Sequence, residues 1–429
     1  MAYTDFELFC KYNLVCTHNM TKNEKMINDL YFRSSLHSTA PSPQNPRVLI
    51  LMHGNYTCNL NCIYCEHHLL REDYQKAVMT EETAEQVVRK LGPMIRELTW
   101  HGGEPTLLPM SLVKKVEEIK HELNLDFRTT LQTNSVALTP QKIKIYKELG
   151  IDWGTSFDGI DNDRNRGKKS TEGIFRLREI MPADEIPGFI TVYINDTKDH
   201  MIDNYEYFKK NGFTSFQSAI VRENVVENTN PHLISAEDSV AAVLKYFEYW
   251  MYDTNNPIAD GYLVRQLERV LGHTKICEDG NCIRGWIIVD PFGNIGQCGQ
   301  AQNSNGIVNV YDIKDYNDLF FHPKFLSEVG KQKALIDECR KSGCPWLSVC
   351  NGGCMGNNYE HDPTYKEINP RGCEYNKALL MGLYELVKDI DVNDPKYNPV
   401  FIQVLKENCY FSLSEIKEIE ERKLRENNG

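Results

Sequence analysis

No stretch of this 429-residue chain approaches the roughly 18 uninterrupted apolar residues of a spanning helix. Its first residues, MAYTDFELFCKYNL, also lack a basic segment followed by an apolar one, so neither a membrane span nor an export signal is expected. Positive charge is short as well: 48 Lys and Arg stand against 60 Asp and Glu, a net charge of −12, and no basic run stands apart. Nucleic acid and anionic membranes need a face that neutralises phosphate, so both are disfavoured as partners. There is no internal repeat and no low-complexity tract. A cytoplasmic globular protein is expected, with room for about three domains at roughly 150 residues each.

Cysteine, by contrast, is abundant, at fourteen residues. In a reducing compartment such clusters more often bind metal than form disulfides. Cys58, Cys62 and Cys65 form one knot, and eight more lie between Cys277 and Cys373. Cys10, Cys16 and Cys409 stand alone and read as ordinary small side chains.

Residues 1–45 end in the breaker-rich STAPSPQNP and read as an N-terminal extension. From there, strand-like segments recur at 47–53, 96–100, 127–134, 151–156, 189–194 and 215–221, with helical patterns between them. Thr80 is a helix cap, and Thr139 followed by Pro140 starts a helix that Gly150 ends. Alternating strands and helices over 46–235 predict an α/β fold, a parallel sheet or partial (β/α)6 barrel related to the TIM type, with its site at the carboxyl ends of the strands. Residues 236–275 read as a helical connector. Residues 276–375 are short-looped, Gly-rich and cysteine-dense, and are expected to be organised around metal. Residues 376–429 read as a helical tail ending in a solvated helix.

The first knot, CNLNCIYC, follows the first core strand. Three thiolates suit a structural zinc, with Glu66, His67 or His68 as fourth ligand, or a four-iron cluster with one iron open. CNLNCIYC after a buried strand, with WHGGEPTLLP after the second, resembles the radical S-adenosylmethionine enzymes. The resemblance implies a [4Fe–4S] cluster on Cys58, Cys62 and Cys65 whose fourth iron is chelated by S-adenosylmethionine. It further implies reductive cleavage of that cofactor to a 5′-deoxyadenosyl radical that removes a substrate hydrogen atom.

By the same resemblance Gly102, Gly103 and Glu104, stiffened by Pro105, receive the cofactor's ammonium, and Tyr64 lies near its adenine. Gln132 and Asn134 reach the ribose. Ser156 and Arg166 hold the carboxylate, with Arg164 a close competitor and Asp158 either a site or a turn residue.

The second array contains CIRGWIIVDPFGNIGQC, a hairpin turning at Gly293, and CPWLSVCNGGC. These resemble the SPASM domain, an iron–sulfur appendage of the same enzymes that carries two auxiliary [4Fe–4S] clusters, which brings the total to three. The resemblance assigns Cys277, Cys282, Cys298 and Cys354 to one cluster and Cys339, Cys344, Cys350 and Cys373 to the other. The family's C-x2-C is widened here to C-x4-C between Cys339 and Cys344, which makes Cys339 the least secure ligand. A pair of zinc ribbons is the alternative.

Clusters with four protein ligands implicate electron transfer, and so a net oxidation. The resemblance implies a precursor peptide as substrate, a thioether or carbon cross-link as product, and a flavodoxin or ferredoxin as electron donor. Dehydrogenation of a small sugar or cyclitol alcohol is the second expectation, and a non-catalytic metal-stabilised module the third. Gly299, where the sulfatase-maturing branch has an Asp base, disfavours that activity. Only about 45 residues precede the barrel, so no complete leader-binding domain is expected. Either a separate leader-binding protein delivers the peptide or the barrel and tail grip it. Asp196 and Asp290 are considered as substrate-side bases, with a structural role favoured for both; the catalytic residue is left open.

Overall fold

The computed structural model describes residues 4–14, 48–65, 75–182, 185–221, 231–272, 285–297, 306–362, 364 and 366–427. Six strands run parallel and in sequential order: β1 (Val48–Asn55), β2 (Ile95–Gly102), β3 (Arg128–Thr133), β4 (Ile151–Ser156), β5 (Phe189–Tyr193) and β6 (Ser215–Ile220). Each lies within two residues, at either end, of the strand that its apolar pattern predicts. The helices between them start where the caps say. Thr80 Oγ1 accepts from Thr83 N at 3.0 Å, and Thr139 Oγ1 from Lys142 N at 3.3 Å. Gly150 ends the second of these helices in the left-handed region, at φ +68°.

Period-two alternation assigns the strand faces. Val48, Ile50 and Met52 of β1 and Leu98 and Trp100 of β2 pack with Val87, Val88, Leu112 and Val116 of the covering helices. The other face carries Leu51, His53, Thr99 and His101, and forms the inside of the partial barrel.

The sheet does not stop at six strands. β7 (Ala259–Asp260) extends it beyond β6, and β8 (Trp286–Val289) pairs parallel to β1 on the opposite edge. β8 and β9 (Asn294–Gly296) form the expected hairpin, with Gly293 at φ +82°, and β10 (Val308–Asn309) follows β9. The cysteine-rich segment is thus hydrogen-bonded into the barrel sheet, giving ten strands among the described residues, in the order β10-β9-β8-β1-β2-β3-β4-β5-β6-β7.

A second core joins the helices Ala236–Tyr252 and Pro370–Val387 through residues such as Phe247, Trp250, Leu379 and Leu383. Both chain ends differ from expectation here. Phe9 of the helix Asp5–Phe9 is fully buried, its ring edge-on to Tyr384 at 4.9 Å. Asn13 exchanges two hydrogen bonds, both 2.9 Å, with the backbone of Phe411. The tail helix Leu413–Asn427 buries Leu413 and Ile416, and its Lys417 and Glu420 pair with Asp5 and Lys11. Its first turns are therefore packed, because those two apolar residues lie on one face, while residues 421–426 face solvent. No helix among the described residues is long and apolar enough to cross a membrane.

Candidate functional site

The cysteine loop leaves the carboxyl end of β1 and is fastened to the turn that leaves β2. Gly103 N donates to Asn55 O at 2.8 Å, Glu104 N to Thr57 O at 2.9 Å, and Asn55 Nδ2 returns a bond to Glu104 O at 3.3 Å. A Cβ on Gly102, which sits at φ +108°, would overlap Asn55 O, and one on Gly103 would overlap Thr57 O. The glycines thus let the chain approach its own cysteine loop.

Glu104 is 1% exposed and its carboxylate accepts four hydrogen bonds from within the chain. Oε1 accepts from Thr106 N at 3.0 Å, from Thr106 Oγ1 at 2.5 Å and from Thr133 Oγ1 at 2.6 Å, and Oε2 accepts from Asn134 N at 2.8 Å. The carboxylate expected to attract an ammonium instead ties the β2 turn to the end of β3.

Asn134, expected at a ribose, has its side chain committed to the cysteine loop. Nδ2 donates to Asn59 Oδ1 at 2.7 Å and to Cys58 Sγ at 3.6 Å, and Oδ1 accepts from Val136 N at 3.0 Å. Leu60 N also donates to Cys58 Sγ, at 3.5 Å. Cys62 is buried, Cys65 half-buried and Cys58 exposed. Burial raises the Cys58 and Cys62 thiols above their usual range, and the Arg166 guanidinium opposes it. A sulfur that already accepts two N–H groups beside a buried cation has the surroundings of a cluster thiolate, so the donor set fits an iron–sulfur cluster.

Behind the knot lies a buried polar chain. Arg166 donates from Nη1 to the Tyr64 hydroxyl at 2.7 Å, and that hydroxyl donates to Asp158 Oδ2 at 2.8 Å. Asp158, 1% exposed, also accepts from Asn165 Nδ2 at 3.3 Å and, through Oδ1, from Val192 N at 3.0 Å. Burial raises its carboxyl, with Arg166 pulling the other way. Tyr64 is thus a hydrogen-bonding relay between Arg166 and Asp158. Arg166 Nε is buried without a partner, which fits a carboxylate-bearing cofactor beside Cys62. Arg164 points elsewhere and pairs with Asp196, both exposed. Asp290 accepts from Phe292 N and Asn294 N, each at 2.9 Å, and so shapes the β8–β9 turn.

Inside the barrel, Gln132 Nε2 donates to Thr155 O at 2.7 Å and to Ser156 Oγ at 3.0 Å. Sequence reasoning passed over His53 and His101. Their rings stack at 5.5 Å on adjacent strands, just below the β2 turn, and burial pulls His101 down to about 4. Their only sequence signal is one His near the end of each of two adjacent strands.

The second array surrounds a cavity of about 600 Å³ lined by Cys339, Cys344, Cys350, Cys354 and Cys373 together with Gln217–Val221 of β6. Cys339 stands at the end of the helix Pro323–Lys341, and Gly343, at φ +66°, turns the chain back. Its thiol is pushed up to about 11, first by burial and then by Cys344 and Cys373, so the widened spacing still brings these three sulfurs together. Asn351, Gly352 and Gly353 all take positive φ, which wraps Cys350–Cys354 around the cavity. Five thiols on one cavity fit cluster ligation. Cys277, Cys282 and Cys298 lie outside the described residues.

Residues 54–220, which hold both motifs, match the family model described as the Radical SAM superfamily, and the chain carries a radical SAM domain and is a radical SAM enzyme. Within that superfamily it is 24% identical, over 349 residues, to the cysteine-type anaerobic sulfatase-maturating enzyme of Clostridium perfringens, covering 76% of this chain and 93% of that one. It is 27% identical over 342 residues to the serine-type enzyme of Bacteroides thetaiotaomicron, covering 70% and 81%. It is also 23% identical over 369 residues to the radical SAM cyclopropyl synthase TigE of Paramaledivibacter caminithermalis, covering 79% and 75%. The fold is that of native anSMEcpe with bound AdoMet and Cp18Cys peptide, with a TM-score of 0.66 at 22% identity over 80% of this chain and 98% of that one. Streptococcus suis SuiB bound to S-adenosylmethionine aligns with a TM-score of 0.58 at 14% identity, over 83% and 84%.

Proposed function

We propose that this enzyme oxidatively modifies a ribosomally made peptide, installing a thioether or carbon cross-link. The observation that carries the reading is the cavity in which the end of β6 and five cysteines meet, because a substrate held there would lie between the barrel and possible electron acceptors. Relatives named for sulfatase maturation support a polypeptide substrate. Cys58, Cys62 and Cys65 would hold the cofactor-binding [4Fe–4S] cluster. The eight remaining ligands, Cys277 to Cys373, would hold two auxiliary ones. S-adenosylmethionine bound at the first cluster supplies hydrogen-atom abstraction.

The chain's own residues position and shelter that chemistry. Asn134 and the Leu60 amide orient the Cys58 sulfur. Arg166 offers its unpartnered Nε to the cofactor carboxylate, held in place by Tyr64 and Asp158. Gln132 faces the barrel interior as a polar contact for the sugar, Ser156 beside it joins Arg166 at the carboxylate, and the backbone of the Gly102–Glu104 turn receives the ammonium. A flavodoxin or ferredoxin would reduce the first cluster.

The test is mass spectrometry of candidate precursor peptides after incubation with the reduced, cluster-loaded chain. Loss of two hydrogens, with fragmentation interrupted between two residues, is the expected result. Conversion of Cys or Ser to formylglycine would assign the sulfatase-maturing reaction instead, which Gly299 after Cys298 argues against. An unchanged peptide beside oxidation of a small alcohol would overturn the peptide reading. About twelve iron and a matching amount of acid-labile sulfide per chain are expected for three clusters; zinc without sulfide would overturn the cluster assignment.

A further inference from the structure

The cavity is lined against the charge of the molecule. The chain carries a net charge of −12, yet no Asp or Glu stands among the described lining residues, whereas Arg265, Arg371 and Lys377 do. These three cations are not equivalent. Arg371 donates to Ile234 O, which fixes it to the barrel connection. Lys377 stands one turn beyond Cys373 on the helix Pro370–Val387, and both line the cavity, so it stands with the sulfur ligands.

Arg265 serves neither end. Among the described residues its guanidinium has no hydrogen bond and no ion pair. It is half-buried on the helix Gly261–Val270, one turn beyond Gly261. A Cβ built on Gly261 would lie 3.4 Å from Arg265 Nη1 and 3.6 Å from Phe216 O, so the guanidinium folds back along the helix toward β6. There it stands with Gln217 and Ser218, which line the same cavity. A guanidinium left partly desolvated and unpaired is costly by itself and becomes favourable when a planar carboxylate binds it in a two-pronged pair.

We propose that Arg265 is an anion subsite that selects a peptide bearing a carboxylate close to the reacting residue, either an Asp or Glu side chain or the free C-terminus. This rests on the peptide reading above. The carboxylate anchors the peptide along β6 and so fixes which residue faces the cysteine loop. The remaining cavity wall, with Trp286, Tyr262 and Tyr375, suits apolar and aromatic neighbours.

The test uses the full chain, loaded with iron and sulfide under anaerobic conditions and immobilised. It is exposed to a random library of short peptides in free-acid and amidated forms. The pool retained by the wild type is expected to be enriched about threefold or more in Asp and Glu, since even a modest charged contact shifts affinity that far. Arg265→Gln removes the enrichment, and Arg265→Glu reverses it toward Lys and Arg, a gain that an unfolded variant cannot produce. Preference for the free-acid library without an internal acid preference assigns the subsite to the C-terminal carboxylate. Equal acid enrichment in wild type and Arg265→Gln overturns the proposal, as does retention with no acid preference at all; in both cases the peptide reading stands. No peptide retained above the bare matrix overturns both.

Discussion

Glu104 shows what a single buried carboxylate does when both of its oxygens are engaged by the chain. Four donors from Thr106, Thr133 and Asn134 converge on it in a site that is 1% exposed, so it holds the β2 turn against β3. Exchanging Glu104 for Gln keeps the shape but places an NH2 group against a hydroxyl or amide donor. Unpaired buried donors of this kind cost about 1–3 kcal/mol each, so Glu104→Gln is expected to lose roughly 2 kcal/mol in chemical denaturation of the metal-free chain. Retention of wild-type stability would show that the carboxylate is not a structural clasp. Glu104 was legible in GGEP as important, but its role was not. The donors come from three separate places along the chain, and nothing in the local sequence says that Thr133 and Asn134 will face it. Arg166 and Arg164 are a similar case. Arg164 lies on the short helix Asn162–Asn165 and Arg166 caps its C-terminus, yet they diverge in direction, and only the fold sends Arg166 toward Tyr64 and Arg164 toward Asp196.

At the scale of elements, the helices Ala236–Tyr252 and Pro370–Val387 cross closely where Gly382 faces Leu244. A Cβ at 382 would overlap Leu244 Cδ1, so the glycine sets the approach of the two helices. Gly382→Val is expected to destabilise by about 1–3 kcal/mol through overpacking, and the double variant with Leu244→Ala to recover part of that loss. A thermal or denaturant midpoint measured on the four members of this cycle checks it, and simple additivity would place the contact elsewhere. Elements of this kind were readable where the signal is local. The six strands of the partial barrel and the caps Thr80 and Thr139 stand where apolar runs and capping residues put them. The end helices match their sequences only in part: residues 421–426 are solvated as expected, but Phe9 and Ile416 look unremarkable until a surface 370 and more residues away is brought to them.

Over the whole molecule, the pairing of β8 with β1 makes the barrel and the cysteine-rich segment one sheet. A chain ending at residue 272 would leave the apolar edge of β1 without its partner, and such edges template aggregation. That truncation is expected to elute from size exclusion as aggregate, whereas a soluble monomer would show that the barrel stands alone. The amino-acid sequence by itself determined the α/β class, the positions of the six barrel strands, and the loop on which the first cysteine group sits, since these follow from periodicity, capping and short-range spacing. Tertiary structure alone decided that Gly102 and Gly103 serve the approach to residues 55–57 and that Asn134 reaches Cys58. It alone left Arg265 unpaired among the described residues, on a cavity whose described lining holds no acid. Those outcomes depend on distances between residues remote in the chain, and such distances are set by how sheet and helices pack together rather than by any local preference.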